Sequence, residues 1–160
     1  MKTIFTLSLT LAFASIAHSQ TLREELETRE STASKMTKEV KVEFAKGILA
    51  VKEAKIVEGA KQVGDQAPDF TLKNATGKKI NLVSELKKGP VVLTWYRGGW
   101  CPYCNITMRA MQKELSAIKK SGASLIALTP ELPDKTLTTK EKNNLDFEVL
   151  TDLNHLVAKK

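Results

Sequence analysis

The 160-residue chain is short of the residues that hold metals or staple exported domains, with two cysteines and two histidines in all. One histidine, His18, sits in an apolar leader, which leaves His155 alone in the body of the protein. A zinc centre takes about four Cys, His or carboxylate ligands. A single-chain Cys/His zinc site is therefore excluded, and no metal or other cofactor is expected. A dense basic block interleaved with aromatics is also missing. Lys and Arg outnumber Asp and Glu by 25 to 18, but the excess is spread through Lys-rich stretches that alternate with Glu. That is the pattern of solvated helix faces, not of a nucleic-acid site. The chain has no internal repeat and no low-complexity linker. No apolar run reaches the roughly 20 residues of a spanning helix. No Arg follows Arg109 and no Pro follows Pro133.

Lys2, the apolar run Ile4 to Ala17 and the small residues Ala17 and Ser19 have the layout of a secretory signal peptide. Cleavage is expected near Ser19/Gln20, with release to the periplasm or medium, and no Cys follows to carry a lipid anchor. Residues 1–19 are thus set aside as a leader, 20–60 as an N-terminal helical arm and 61–160 as the main domain. Hydrophobic residues at 42% and charged residues at 27% suit a globular body.

In the arm, Thr21-Leu22-Arg23-Glu24 has the form of a capping box. Leu22, Leu26, Ala33, Met36 and Val40 follow helical spacing, as do Phe44, Ile48, Val51, Ala54 and Ile56 after a break near Ser31–Thr37. The arm is expected to pack on the main domain. Two short strands are expected at Asp69–Leu72 and Lys79–Leu82, around the turn residues Asn74-Ala75-Thr76-Gly77. Ser84 is the expected cap of a short helix through Lys88. Val91 to Tyr96 reads as a central buried strand. A helix over about Pro102–Lys120, a strand over Ala123–Thr129, a helix over Asp134–Asn144, a strand over Phe147–Leu150 and a helix starting at Asp152 complete the pattern. Alternation of this kind implies an α/β fold with parallel neighbours and right-handed crossovers.

Both cysteines stand two residues apart in Arg97-Gly98-Gly99-Trp100-Cys101-Pro102-Tyr103-Cys104, between the strand and the long helix. A bridge over so short a loop constrains the unfolded chain little, so the pair reads as chemical. Gly98 and Gly99 permit a tight turn, and Pro102 suits a first helical turn. The thiols then fall at the helix N-terminus, whose unpaired N–H groups and dipole favour a thiolate of lowered pKa. Arg97, pointing inward, would add to this. Trp100 either shields a thiol, meets a redox partner or packs in the core. Thr94 is a weaker candidate for supporting the loop. Asn105-Ile106-Thr107 matches a glycosylation acceptor but lies in the helix, and nothing nearby orients His155 as a base.

The opening Val63-Gly64-Asp65-Gln66-Ala67-Pro68-Asp69-Phe70 and the run Trp95–Cys104 resemble the alkyl hydroperoxide reductase/thiol-specific antioxidant family, in its peroxiredoxin-like subgroup. The resemblance implies a thioredoxin-like fold. It also implies a thiol peroxidase that reduces a hydroperoxide substrate and is recycled by a thioredoxin-like reductant, with Cys101 and Cys104 forming a disulfide in the cycle. Counted from Tyr96, the family's Pro-x-x-x-Thr-x-x-Cys loop puts Arg97 at the Pro, Cys101 at the Thr and Cys104 at the attacking Cys. The thioredoxin pattern Trp-Cys-x-x-Cys makes Cys101 the nucleophile instead. The first assignment, with Cys101 resolving, is preferred here, and both stand. An exported thiol–disulfide oxidoreductase is the alternative function, and an inactive remnant a third. The family's downstream peroxide-binding Arg has no counterpart after Arg109. The closing hairpin, cis-proline turn and helix would have to follow Asp152. The domain is therefore expected to be incomplete at its C-terminus, with an exposed sheet edge that favours a homodimer or aggregation.

Overall fold

The computed structural model describes residues 21–33 and 36–160. The expected leader and part of the expected break in the arm lie outside the described residues. Helix α1 (Leu22–Ala33) opens with the capping box. The Glu24 N–H donates to Thr21 Oγ1 at 3.3 Å, and the Thr21 N–H donates to the Glu24 carboxylate at 2.8 Å. The helix lies on α5 (Pro102–Lys120), with Leu22 and Glu25 beside Ala110, Met111 and Ile118. Helices α2 (Lys38–Glu53) and α3 (Ile56–Gly59) complete the arm. Here the expected packing fails, because no residue of α2 is buried and Phe44 and Ile48 are 58% and 57% exposed. The outer face of α5 is taken by α1, and α2 makes its principal contacts with α3.

The main domain is built on a five-stranded sheet in the order β2-β1-β5-β4-β3. Strands β1 (Thr71–Asn74) and β2 (Lys79–Asn81) form an antiparallel hairpin. Its turn is organised by Asn74 Oδ1, which accepts from the N–H groups of Thr76 at 3.0 Å and Lys78 at 2.9 Å. Strands β3 (Val91–Trp95), β4 (Ser124–Thr129) and β5 (Glu148–Thr151) run parallel, joined by α5 and by α6 (Pro133–Lys142). The expected strand–helix alternation therefore holds.

Strand β1 lies two residues later than the expected Asp69–Leu72 and takes in Asn74, and three further details differ from the sequence reading. Strand β3 is an edge strand, paired only with β4 among the described residues, and Val92 and Trp95 are exposed. Its β-branched and aromatic content satisfies one buried face as well as two, so composition could not place it in the sheet. The short helix α4 (Leu82–Leu86) is capped by Asn81, whose Oδ1 accepts from the Ser84 N–H at 2.9 Å. Ser84 lies within the first turn. The segment after β5 is a short 3-10 turn at Leu153–His155 rather than an α-helix, with Asn154 and His155 both at positive φ. Asp152 causes this. Its carboxylate, 1% exposed, accepts from the Val157 and Ala158 N–H groups at 3.0 and 3.1 Å and curls the chain around itself.

Side chains alternate across the strands and build one core on each face. Leu125, Ala127 and Val149 face Met108 and Leu115 of α5, together with Tyr96. Ile126, Leu128 and Leu150 face Phe70, Ile80, Leu82 and Val157.

Candidate active site

Parallel strands set their C-terminal ends side by side, so the loops after β3 and β4 become neighbours. The Tyr96 N–H extends the ladder by one bond to the Leu128 carbonyl at 3.0 Å, and the chain then turns away from the sheet. At Gly98 φ is +147°, and a Cβ there would lie 2.6 Å from a Glu131 carboxylate oxygen. At Gly99 a Cβ would collide with the Thr139 hydroxyl. Both glycines are therefore required by the path of the loop. The Cys101 N–H closes the turn on the Gly98 carbonyl at 3.1 Å.

Helix α5 begins at once, with Pro102 in its first turn and Cys101 as N-cap. Pro102 thus holds the role expected of it. The Cys101 sulfur accepts from the Cys104 N–H at 3.4 Å, so the open end of the helix is turned toward Cys101. Cys101 is 3% exposed, whereas Cys104 is half-buried. Both are free thiols, which is the reduced form of the pair.

The expected lowering of the thiol pKa is not found at Cys104. Burial, followed by the contact with Cys101, raises its pKa, and the backbone N–H groups of Arg97 and Gly98 offset only part of the rise. Arg97 contributes through its backbone and not through its guanidinium. The side chain is exposed and stacks on Trp100 with 4.6 Å between the guanidinium carbon and the ring centroid, an arrangement worth about 0.5–1 kcal/mol at a surface. Trp100 is 63% exposed, which excludes core packing and leaves the stacked pair facing solvent beside the thiol loop.

Four residues that support the loop were not assigned that role from the sequence. Glu131, after β4, accepts from the Gly99 N–H at 2.8 Å. Asn105 donates to the carbonyls of Gly99 at 2.7 Å and Cys101 at 2.9 Å. Asn143 donates to Asn105 Oδ1 at 2.7 Å. Tyr96, 6% exposed, packs beneath α5, where burial and then the Glu131 carboxylate push its hydroxyl up to about 12. A signal for Glu131 was present, since a polar residue just past a buried parallel strand belongs at the same sheet end as the Cys loop. Thr94 lies within β3 opposite Ala127. His155 is exposed on the turn after β5 and makes none of the loop's contacts.

A sequence model of the AhpC/TSA family matches residues 63–160, from just past the arm through all five strands. The chain belongs to this family. Among AhpC/TSA relatives, peroxiredoxin Bcp of Escherichia coli K12 is 27% identical over 97 residues, covering 61% of this chain and 62% of the relative. The chloroplastic peroxiredoxin Q of Oryza sativa subsp. japonica is 31% identical over 105 residues, covering 66% of this chain and 48% of the relative. The chain thus spans less than two thirds of the length of these relatives. The crystal structure of peroxidoxin BcpB from Mycobacterium tuberculosis superposes with a TM-score of 0.60 at 26% identity, covering 62% of this chain and 65% of that one. The AhpC/TSA domain described here is accordingly a thioredoxin-like α/β fold.

Proposed function

We propose that this AhpC/TSA chain supplies the thiol centre of a hydroperoxide reductase in which Cys104 attacks and Cys101 resolves. One observation carries the assignment. Cys104 is the more accessible of the two residues, while Cys101 is enclosed at the helix cap, where its sulfur accepts from the Cys104 N–H. The Cys104 thiolate attacks the terminal oxygen of a hydroperoxide and the O–O bond breaks. Sulfur is oxidised to a sulfenic acid, and the other oxygen leaves as an alcohol, or water, after taking a proton. The Cys101 thiol then displaces hydroxide, which leaves as water with the Cys101 proton, and the disulfide forms. A dithiol reductant of the thioredoxin type returns both sulfurs to thiols by exchange, becoming a disulfide itself. Export is part of this reading, on the strength of the leader-like run from Ile4 to Ala17, and it sets the reductant outside the cytoplasm.

The test is peroxide consumption by the reduced chain beside Cys101→Ser and Cys104→Ser, with sulfenic acid trapped by dimedone. Cys104→Ser is expected to lose both signals, and Cys101→Ser to keep one turnover and trap the sulfenic acid. Because the Cys104 pKa is raised, the thiolate fraction grows as pH climbs toward it. The rate of the first turnover should therefore keep rising through pH 8 and 9 without levelling at neutrality. Trapping in Cys104→Ser but not in Cys101→Ser would reverse the two roles. Reduction of a protein disulfide without peroxide consumption would replace the reading with the thiol–disulfide oxidoreductase, which the exposed Arg97–Trp100 pair also suits.

A further inference from the structure

Behind the thiol loop, two side-chain amides have all their polar atoms engaged. Both Nδ2 hydrogens of Asn105 are used, on the Gly99 carbonyl at 2.7 Å and the Cys101 carbonyl at 2.9 Å. Its Oδ1 accepts from Asn143 Nδ2 at 2.7 Å. Asn143, 6% exposed at the end of α6, gives its other hydrogen to the Thr139 carbonyl at 3.0 Å. Its Oδ1 accepts from Arg109 at 3.4 Å. Saturation of this kind leaves no hydrogen on Asn105 for a glycan, so the acceptor pattern at 105–107 is not a modification site in the folded chain.

The arrangement fixes particular peptide planes. Asn105 grips the carbonyls on either side of Trp100, and Glu131 holds the Gly99 N–H from the other side. Leu has the shape of Asn without donors, Asp has no N–H to give, and Ser has one donor where two are used. Asn is the residue type that spans both carbonyls and accepts from Asn143 at once.

We propose that Asn105, braced by Asn143, is a positioning residue: it holds the Gly99–Cys101 segment, and with it the Cys101 cap on the first turn of α5, in place around the Cys104 sulfur. The proposal rests on Cys104 as the reacting thiol. Without the clamp the loop relaxes, and the backbone of Arg97 and Gly98, which favours the Cys104 thiolate, moves away while the burial of the sulfur remains.

The experiment uses the full chain in a Cys101→Ser background, so that Cys104 is the one thiol, and measures its alkylation by iodoacetamide from pH 6 to 10.5. Asn105→Ala is expected to move the profile upward by about one pH unit and so to slow alkylation about tenfold at pH 8. Asn143→Leu, which keeps shape and charge but withdraws the donor to Asn105, is expected to shift it in the same direction by less. Near-UV circular dichroism on the same samples reports the fold, and if Asn105→Ala does not fold, Asn143→Leu decides. Profiles superimposable on the parent in folded protein overturn the proposal. Alkylation needs no peroxide. A chain that shows the shifts yet consumes no peroxide would keep the positioning role and sink the peroxidase reading.

Discussion

Tyr96 is a residue whose side chain is buried against its own chemistry. Its ring belongs to the core under α5, yet its hydroxyl is enclosed without a hydrogen-bond partner, with the Thr129 side chain nearby favouring the phenolate slightly. An enclosed, unbonded hydroxyl costs about 1–3 kcal/mol. Tyr96→Phe should therefore be as stable as the parent or more so in urea unfolding at pH 7. The parent hydroxyl is pushed up to about 12, above the tyrosine value near 10 of an unfolded chain. Its share of stability is complete below pH 10 and is lost as pH rises toward 12. Tyr96→Phe should lack that alkaline loss, so the gap between variant and parent should widen from pH 9 to 11.5. Equal losses in both proteins would show that the hydroxyl is solvated. At this scale the sequence disclosed the sulfur pair, because spacing and turn residues are local signals. It did not disclose Glu131 or Asn143, which reach the loop only when strands and helices remote in sequence are folded together. It offered Asn105 as a glycosylation acceptor and not as a clamp, although the carbonyls it holds are four and six residues away.

Elements were legible where one segment decides its own conformation. The hairpin, α5 and the two crossover units follow from turn residues and hydrophobic period. The cap of α4 did not, because Asn81 and Ser84 are both good cap residues and neighbouring strands chose between them. Asn81 also gives its Nδ2 to the Asp69 carboxylate, the Phe70 carbonyl and the Thr71 hydroxyl, all at 3.1 Å, and so ties the hairpin to the helix it caps. Loss of an N-cap costs about 0.5–2 kcal/mol. Asn81→Ala should fall at or above the top of that range, while Ser84→Ala should change the urea midpoint little. Equal effects would restore Ser84 as the cap. The order of strands was likewise beyond local reading, since burial on one face or two is a property of the assembled sheet.

Across the whole molecule, stability is unevenly distributed. Met108 is 1% exposed and joins α5 to β4, β5 and Phe147. Met108→Ala should cost about 2–5 kcal/mol. Phe44 and Ile48 on α2 are as apolar but exposed, and their replacement by Lys should move the unfolding midpoint by no more than about 0.5 kcal/mol in either direction. A large loss from the α2 changes would reveal packing of the arm that the fold described here does not contain. The sequence assigned both groups to helix faces with equal force. Only the position of α1 over α5 separates a core face from a bare one.

The edge position of β3 has a kinetic meaning as well. Tyr96 turns its N–H inward to β4, and in a parallel ladder alternate residues point to opposite sides. The amides of Val91, Leu93 and Trp95 therefore face away from the sheet, without a strand partner among the described residues. Their deuterium uptake should be fast, while Val92, Thr94 and Tyr96 stay protected, giving a two-residue rhythm along the six residues from Val91 to Tyr96. That rhythm ends one residue before Arg97. The thiol loop is thus tethered to a ribbon of the sheet that is clamped along one side and free to breathe along the other.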